Sequence, residues 1–294
     1  AILTRRSMPK SKSVSIAIIR GAYYSPFTFT GKTKERTTYS RVVKKSKTAL
    51  PFPSFLNYTL ENPGEKGDWM SYQILFEETL PLGHLTAVSL PEPSGHRGET
   101  TLGNLESPER SVALDLPERR RIPWIGGRIA LKNSLKHFEA PVVPILATPR
   151  GAPSLPSGFV GSVSHKKAKA IGLVAPDSGW TIGVDLEEQK PPRERIESMI
   201  LTEEEISEIK DTPSDVQWRE LLLRFSLKEA IYKAIDPHVK RFVGFKEVTV
   251  SPNENGTATV RWNLKKKEGP FTTETYWLSK DGYYITSARI QPGE

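Results

Sequence analysis

The stretch Thr181-Ile-Gly-Val-Asp-Leu-Glu187 alternates apolar and polar residues with period two, which predicts a β-strand. Ile182, Val184 and Leu186 fall on one face, and Gly183, Asp185 and Glu187 on the other. Asp185 and Glu187 therefore project the same way, near enough to share a hard cation through oxygen ligands. An edge strand with a solvated acidic face would carry the same pattern, so the decision rests on what flanks it.

Upstream, residues 159–164 and 168–175 read as strands, and the three are expected to lie in one sheet. The first ends in Gly161-Ser-Val-Ser-His165 and is followed by Lys166, Lys167 and Lys169. Ser164, His165 and the lysines offer hydroxyl, imidazole and ammonium donors to an anion. Downstream, Pro191-Pro192 breaks the chain. Thr202-Glu-Glu-Glu205 has the form of a capping box. A long helix is expected from about Ser214 to Ile235, with Trp218, Leu222 and Phe225 as its core-facing stripe. Continued at the helical period, the stripe reaches Glu229 and Tyr232. A carboxylate on an apolar face must be paired, protonated or metal-bound. Lys228 is adjacent and Lys233 is one turn later. A Glu229–Lys233 surface pair, worth a few tenths of a kcal/mol, is the plainer alternative.

Further out, residues 72–77 and 85–90 are expected strands, and Ser107-Pro-Glu opens a helical segment that Pro117 interrupts and residues 118–137 resume. After the long helix come four expected strands, at 247–251, 257–262, 273–278 and 283–290, with turn signals at Asn253-Glu-Asn-Gly256 and Lys280-Asp-Gly282. The expected class is α+β, with two similar halves, 69–190 and 191–294, meeting at Pro191.

The 294 residues are 37% hydrophobic and 26% charged, which supports a packed core. With no cysteine, disulfides, thiolate metal sites and cysteine nucleophiles are excluded. No apolar run approaches the roughly 20 residues of a membrane helix, so no membrane association and a cytoplasmic location are expected. Net charge is +8, but residues 1–60 carry twelve Lys and Arg against one acid, Glu35. That segment holds +11 and leaves −3 for the remainder, so no nucleic-acid partner is expected for the folded body. Residues 1–68 are expected to be a poorly ordered basic extension, with Met70 a natural start for the body.

No G-x-x-x-x-G-K-[ST], G-x-G-x-x-G after a strand, H-E-x-x-H or G-x-S-x-G is present. A phosphate would be held by side chains, and Arg119-Arg-Arg121, Arg128 and Arg150 add cations to those already named. Basic groups beside three carboxylates suit a metal-bound diphosphate.

Five segments, in order, resemble the 4′-phosphopantetheinyl transferases of the surfactin/enterobactin-synthesis type. Arg121-Ile-Pro-Trp-Ile-Gly-Gly-Arg128 resembles R-x-x-[FW]-x-x-GR, and Arg150-Gly-Ala-Pro-Ser-Leu-Pro156 resembles R-G-x-P-x-L-P. Gly161-Ser-Val-Ser-His165 resembles [GN]-x-S-H, and Gly183-Val-Asp-Leu-Glu187 resembles G-[IV]-D-[IL]-E. Phe225-Ser-Leu-Lys-Glu-Ala-Ile-Tyr-Lys233 resembles [WF]-S-x-K-E-[AS]-x-x-K, with Phe225 where many relatives carry Trp. The resemblance covers about residue 70 to the end. It implies two pseudo-twofold halves with the active site in the cleft between them. It implies Mg²⁺ on Asp185, Glu187 and Glu229, and coenzyme A held by Arg121, Arg128, Arg150, Ser164, His165, Lys228 and Lys233. It implies that Glu229, with Lys233, or else Glu187 or a metal-bound water, takes the proton of a serine on an acyl or peptidyl carrier protein. A monomer is expected. Two other readings stay open: a different Mg²⁺-dependent nucleotide or phosphate enzyme, and a nucleic-acid or membrane binder acting through the basic extension.

Overall fold

The computed structural model describes residues 72–92, 102–103, 105–191, 196–265 and 267–293. The basic extension, Met70 and Pro192 lie outside the described residues.

The first sheet has the order β1-β2-β4-β3, from β1 (Ile74–Leu80), β2 (Gly83–Ser89), β3 (Phe159–Lys166) and β4 (Lys169–Pro176), with every neighbouring pair antiparallel. Helix α1 (Ser107–Asp115) starts with a capping box in which Glu109 reaches back to the Glu106 N–H at 2.9 Å. Helix α2 (Glu118–Lys136) lies across the sheet and carries Leu131 and Leu135 into a core with Ile145 and Val174. It approaches closely because Gly172 has no side chain. A Cβ there would stand 2.7 Å from Leu131 N and 2.9 Å from Ala130 C.

A second layer also sets a helix across an antiparallel sheet. The sheet β5-β9-β8 is built from β5 (Thr181–Glu188), β8 (Phe271–Lys280) and β9 (Tyr283–Pro292). Short helices α3 (Glu197–Ile200) and α4 (Glu203–Ile209) lead into the long helix α5 (Ser214–Val239), which packs across β5 and β9. A Cβ on Gly183 would stand 1.9 Å from Ala230 O and 2.8 Å from Ala234 N, so only glycine permits this contact. Strands β6 (Val248–Pro252) and β7 (Ala258–Trp262) form a separate hairpin. Val248 and Val250 join Leu227, Ile231, Ile235 and Ile290 in the main core of this layer. The architecture is the expected α+β mixture of helices and antiparallel sheets.

One expectation is corrected. The strand at 181–188 does not share a sheet with β3 and β4. It pairs along its whole length with β9, from Thr181 opposite Ile290 to Glu188 opposite Tyr283. Period-two alternation reveals a strand's two faces and nothing of its neighbours, and residues 177–180 carry the chain from one sheet to the other. The two sheets still meet at β3 and β5. There the contact is made by serine hydroxyls: Val184 N–H donates to Ser162 Oγ at 3.1 Å, and Ser164 Oγ donates to Asp185 Oδ1 at 2.8 Å.

The expected helix stripe is also revised. Phe225 is buried, but Trp218 and Leu222 are only half-buried. The deepest line runs through Leu223, Leu227, Ala230, Ile231 and Ala234, while Leu221 and Phe225 pack into a second cluster with Ile200, Leu201 and Ile209. Helix α5 is enclosed from several sides, so its apolar positions do not resolve into one stripe, and Glu229 is half-buried beside the core.

Candidate active site

The seam between the sheets holds the acidic face of β5. Asp185 is 5% exposed and Glu187 7%. Three side chains donate to Asp185: Ser164 Oγ to Oδ1 at 2.8 Å, Lys233 Nζ to Oδ1 at 2.9 Å, and Ser226 Oγ to Oδ2 at 3.0 Å. Strand β3 supplies the first donor. Helix α5 supplies the other two, seven residues apart and so on one helical face. Lys233 Nζ also donates to the Val184 carbonyl at 2.8 Å, which braces the ammonium against β5. Thr286 lies opposite Asp185 in the β5–β9 register and donates to the Ser226 carbonyl at 2.9 Å. Asp185 is thus a fully hydrogen-bonded buried carboxylate, held by three donors from two elements.

Glu187 has a different partner. Lys166, at the end of β3, places Nζ 2.5 Å from Glu187 Oε2. Burial, then the nearby Asp185 charge, raise the Glu187 carboxyl to about 7, with Lys166 and Lys233 opposing. His165 stands beside this pair. Burial first, then the Lys233 ammonium, lower its imidazole to about 4; Asp185 partly opposes and Lys166 adds to the lowering. His165 is therefore neutral at pH 7 and acts as a hydrogen-bonding group rather than a cation.

A prediction follows from that shift. Because folding depresses the imidazole pKa, its contribution to stability is present above the unfolded value of 6.5 and is lost as pH falls from there toward 4. Between pH 7 and pH 4.5 the wild type is expected to lose about 2 kcal/mol more than His165→Asn in chemical denaturation. Equal losses in the two proteins would contradict the assignment.

Lys228 and Arg121 are engaged away from this cluster, and Arg150, Arg128 and Glu229 have contacts of their own. Lys228 is 0% exposed, and its Nζ donates to Glu205 Oε2 at 2.6 Å and to the Ile200 and Phe245 carbonyls at 2.9 Å each. All three ammonium protons are thereby engaged away from Asp185. Arg121 closes the C-terminal end of α1: Nε donates to Ala113 O at 2.8 Å, and Nη2 to Leu116 O at 2.8 Å and Leu114 O at 3.2 Å. These are carbonyls that a helix end leaves open. Arg150 makes a bidentate pair with Asp236 of α5, at 2.7 and 2.5 Å, and donates to Lys240 O at 3.1 Å. Arg128 donates from Nε to Ile145 O at 3.2 Å and stacks 4.0 Å above the Trp124 ring. Glu229 follows Lys228 on α5, and its charge helps hold the Tyr232 phenol protonated. The structure brings together Ser164, His165, Asp185, Glu187 and Lys233, and does not bring Arg121 or Lys228 to them.

Two contributors, Ser226 and Thr286, are not among the residues that the sequence singles out, and Lys166 is there only as a donor to an anion. Ser226 sits inside Phe225-Ser-Leu-Lys-Glu, where a serine enclosed by apolar residues signals a buried acceptor. Lys166 was only one of three basic residues after His165. Thr286 carries no local signal, since its role comes from register with Asp185.

Among the described residues no three His, Asp or Glu side chains already converge as a metal site. The donor set nevertheless fits a hard cation at β5. Two buried carboxylates, Asp185 at 5% and Glu187 at 7% exposed, lie on one strand face and offer oxygen ligands.

Comparison with known proteins places the chain in one family. The profile of the "4′-phosphopantetheinyl transferase superfamily" matches residues 181–288, and that of the "4′-phosphopantetheinyl transferase N-terminal domain" matches residues 109–175. The 4′-phosphopantetheinyl transferase Npt of Nocardia iowensis is 28% identical over 72% of this chain and 98% of its own length. The 4′-phosphopantetheinyl transferase PptT of Mycobacterium tuberculosis is 30% identical over 50% of this chain and 63% of its own. The 4′-phosphopantetheinyl transferase Svp of Streptomyces mobaraensis is 28% identical over 63% and 82%, respectively.

Proposed function

We propose that this chain, which belongs to the 4′-phosphopantetheinyl transferase superfamily, moves the 4′-phosphopantetheine group of coenzyme A onto a serine of an acyl or peptidyl carrier protein, as a holo-[acyl-carrier-protein] synthase. The observation that carries the reading is the buried Asp185–Glu187 pair flanked by Ser164, His165 and Lys233 at the seam of two sheets.

Asp185 and Glu187, with Glu229 as third carboxylate, would hold Mg²⁺, which when bound supplies positive charge to the diphosphate. The neutral His165 offers a hydrogen bond to phosphate oxygens from the end of β3, while the single O–H of Ser164 goes to Asp185 and would serve a phosphate only by turning from it. Lys233, braced by Val184 O, presents a fixed ammonium whose charge favours the transferring phosphoryl group. Arg128 and Arg150 supply the guanidinium groups for the remaining phosphates. Removal of the serine proton falls to Glu229 with Lys233, or to Glu187 or a metal-bound water. The serine oxygen bonds to the β-phosphorus as the phosphoanhydride bond breaks, and 3′,5′-ADP leaves with the electron pair.

The net charge of −3 outside residues 1–60 supports a folded body that does not bind nucleic acid. No helix among the described residues is long and apolar enough to cross a membrane. A cytoplasmic monomer fits this reading. The test is nucleotide release. Incubation with coenzyme A, Mg²⁺ and apo carrier protein is expected to yield 3′,5′-ADP, and a carrier whose acceptor serine is replaced by alanine is expected to yield none. Turnover of another nucleotide with coenzyme A left intact would favour a different Mg²⁺-dependent phosphate enzyme.

A further inference from the structure

We propose that Lys166 is a displaceable latch: its ammonium occupies Glu187 when no metal is bound, and an arriving divalent cation drives it off the carboxylate and toward the anionic co-substrate. The inference rests on the reading that Asp185 and Glu187 take a divalent cation.

The two ammonium groups of the site are built differently. Lys233 rises from within α5, its side chain only 14% exposed, and donates to both Asp185 and the Val184 carbonyl. Lys166 approaches from solvent with its side chain 41% exposed, and the one ion pair it makes among the described residues is with Glu187, at 2.5 Å. Its backbone is fixed where β3 turns into β4. Lys166 pairs with Lys169 across a two-residue turn, and Lys167 takes a φ of 30°. The base of the side chain is anchored, while its flexible four-carbon stem can swing without moving the strand.

Charge balance gives the direction of exchange. Asp185 and Glu187 face Lys233 and Lys166, one ammonium paired to each carboxylate. A divalent cation added to that set must compete with Lys166 for Glu187. Lys233 has a second acceptor in the Val184 carbonyl, and Asp185 has two hydroxyl donors, so neither depends on the latch. Once displaced, Lys166 remains adjacent in sequence to His165 and two residues from Ser164, the groups expected to meet the phosphates. Glu188 is the other acid whose carboxyl responds to the Lys166 charge, and Lys190 is already paired with it. The released ammonium is therefore available to an incoming diphosphate. Lys166 opposes the metal and assists the anion, and acts as a positioning residue in both roles.

Opposite effects on two ligands distinguish this from a lysine that only stabilises the fold. The experiment titrates Mn²⁺, an oxygen-seeking stand-in for Mg²⁺, into the full chain without coenzyme A, followed by electron paramagnetic resonance. Lys166→Gln is expected to bind Mn²⁺ about tenfold more tightly than the wild type, and Lys166→Arg, which keeps a cation at Glu187, to stay close to the wild type. At saturating Mn²⁺, calorimetry is expected to show several-fold weaker coenzyme A binding for Lys166→Gln. Identical Mn²⁺ affinities for wild type and Lys166→Gln would overturn the latch, even if coenzyme A binding fell. Absence of Mn²⁺ binding in every protein would overturn the metal reading and the latch together.

Discussion

Asp185→Asn is expected to lower carrier-protein modification on the order of a thousandfold while leaving the fold intact. The substitution keeps shape and removes charge. The introduced amide retains one oxygen to accept from Ser164 or Lys233, and its NH₂ group can donate to the Ser226 hydroxyl, which can turn to accept. Lys233 keeps the Val184 carbonyl. What disappears is one of the two buried carboxylates available to a cation. Losing one preorganised electrostatic contact to a developing charge typically reduces the rate about 10²- to 10³-fold, and here the lost contact is itself a metal ligand. The check is kcat/KM for carrier modification, paired with thermal unfolding of the same sample. Activity within threefold of the wild type would remove Asp185 from the site.

The second large effect is on stability. Lys228→Met is expected to cost about 3–5 kcal/mol, because it leaves the buried Glu205 carboxylate without its cation. Glu205 is a junction. Oε2 accepts from Lys228 Nζ at 2.6 Å and from the Thr202 N–H at 2.7 Å, closing the α4 capping box, while Oε1 accepts from the Val250 N–H of β6 at 2.7 Å. Burial pulls the Lys228 ammonium below the usual lysine value, and Glu205 opposes that. For a folded body of this size the loss corresponds to roughly 10 °C in Tm. Lys228→Met combined with Glu205→Gln is expected to recover much of it, since no unpaired charge then remains buried. A Lys228→Met protein with wild-type Tm and a raised KM for coenzyme A would instead make Lys228 the phosphate ligand that the motif resemblance implied.

The contrast between Asp185 and Lys228 shows what the sequence could reveal. Asp185 and Glu187 were legible because a strand's alternation is local, and two residues apart means one face wherever the strand goes. The partner of that strand was not legible. Pairing of β5 with β9 joins residues about a hundred positions apart, and nothing in 181–188 distinguishes β9 from β4 as a neighbour. Lys228 and Arg121 stand apart from the expected cluster for a related reason. Long, flexible cationic side chains take whichever acceptors the tertiary fold supplies. For Arg121 these are the open carbonyls of α1, and for Lys228 a glutamate already recognisable as a helix cap. Glu229 was drawn into an apolar stripe because the single-face rule assumes a helix with one side in water, and α5 is enclosed on several. Ser164, His165 and Lys233 lie at the site because each belongs to a segment that reaches the seam by its own local geometry, a strand end for the first two and a helix face for the third.

The central claim is that the acidic face of β5 and the groups around it serve phosphopantetheinyl transfer. Intact-mass analysis of an apo carrier protein, incubated with this chain, coenzyme A and Mg²⁺, tests it most directly. The account predicts a carrier heavier by one phosphopantetheinyl group, with the gain abolished by chelating the metal. An unmodified carrier under conditions where the chain binds both coenzyme A and metal would contradict it.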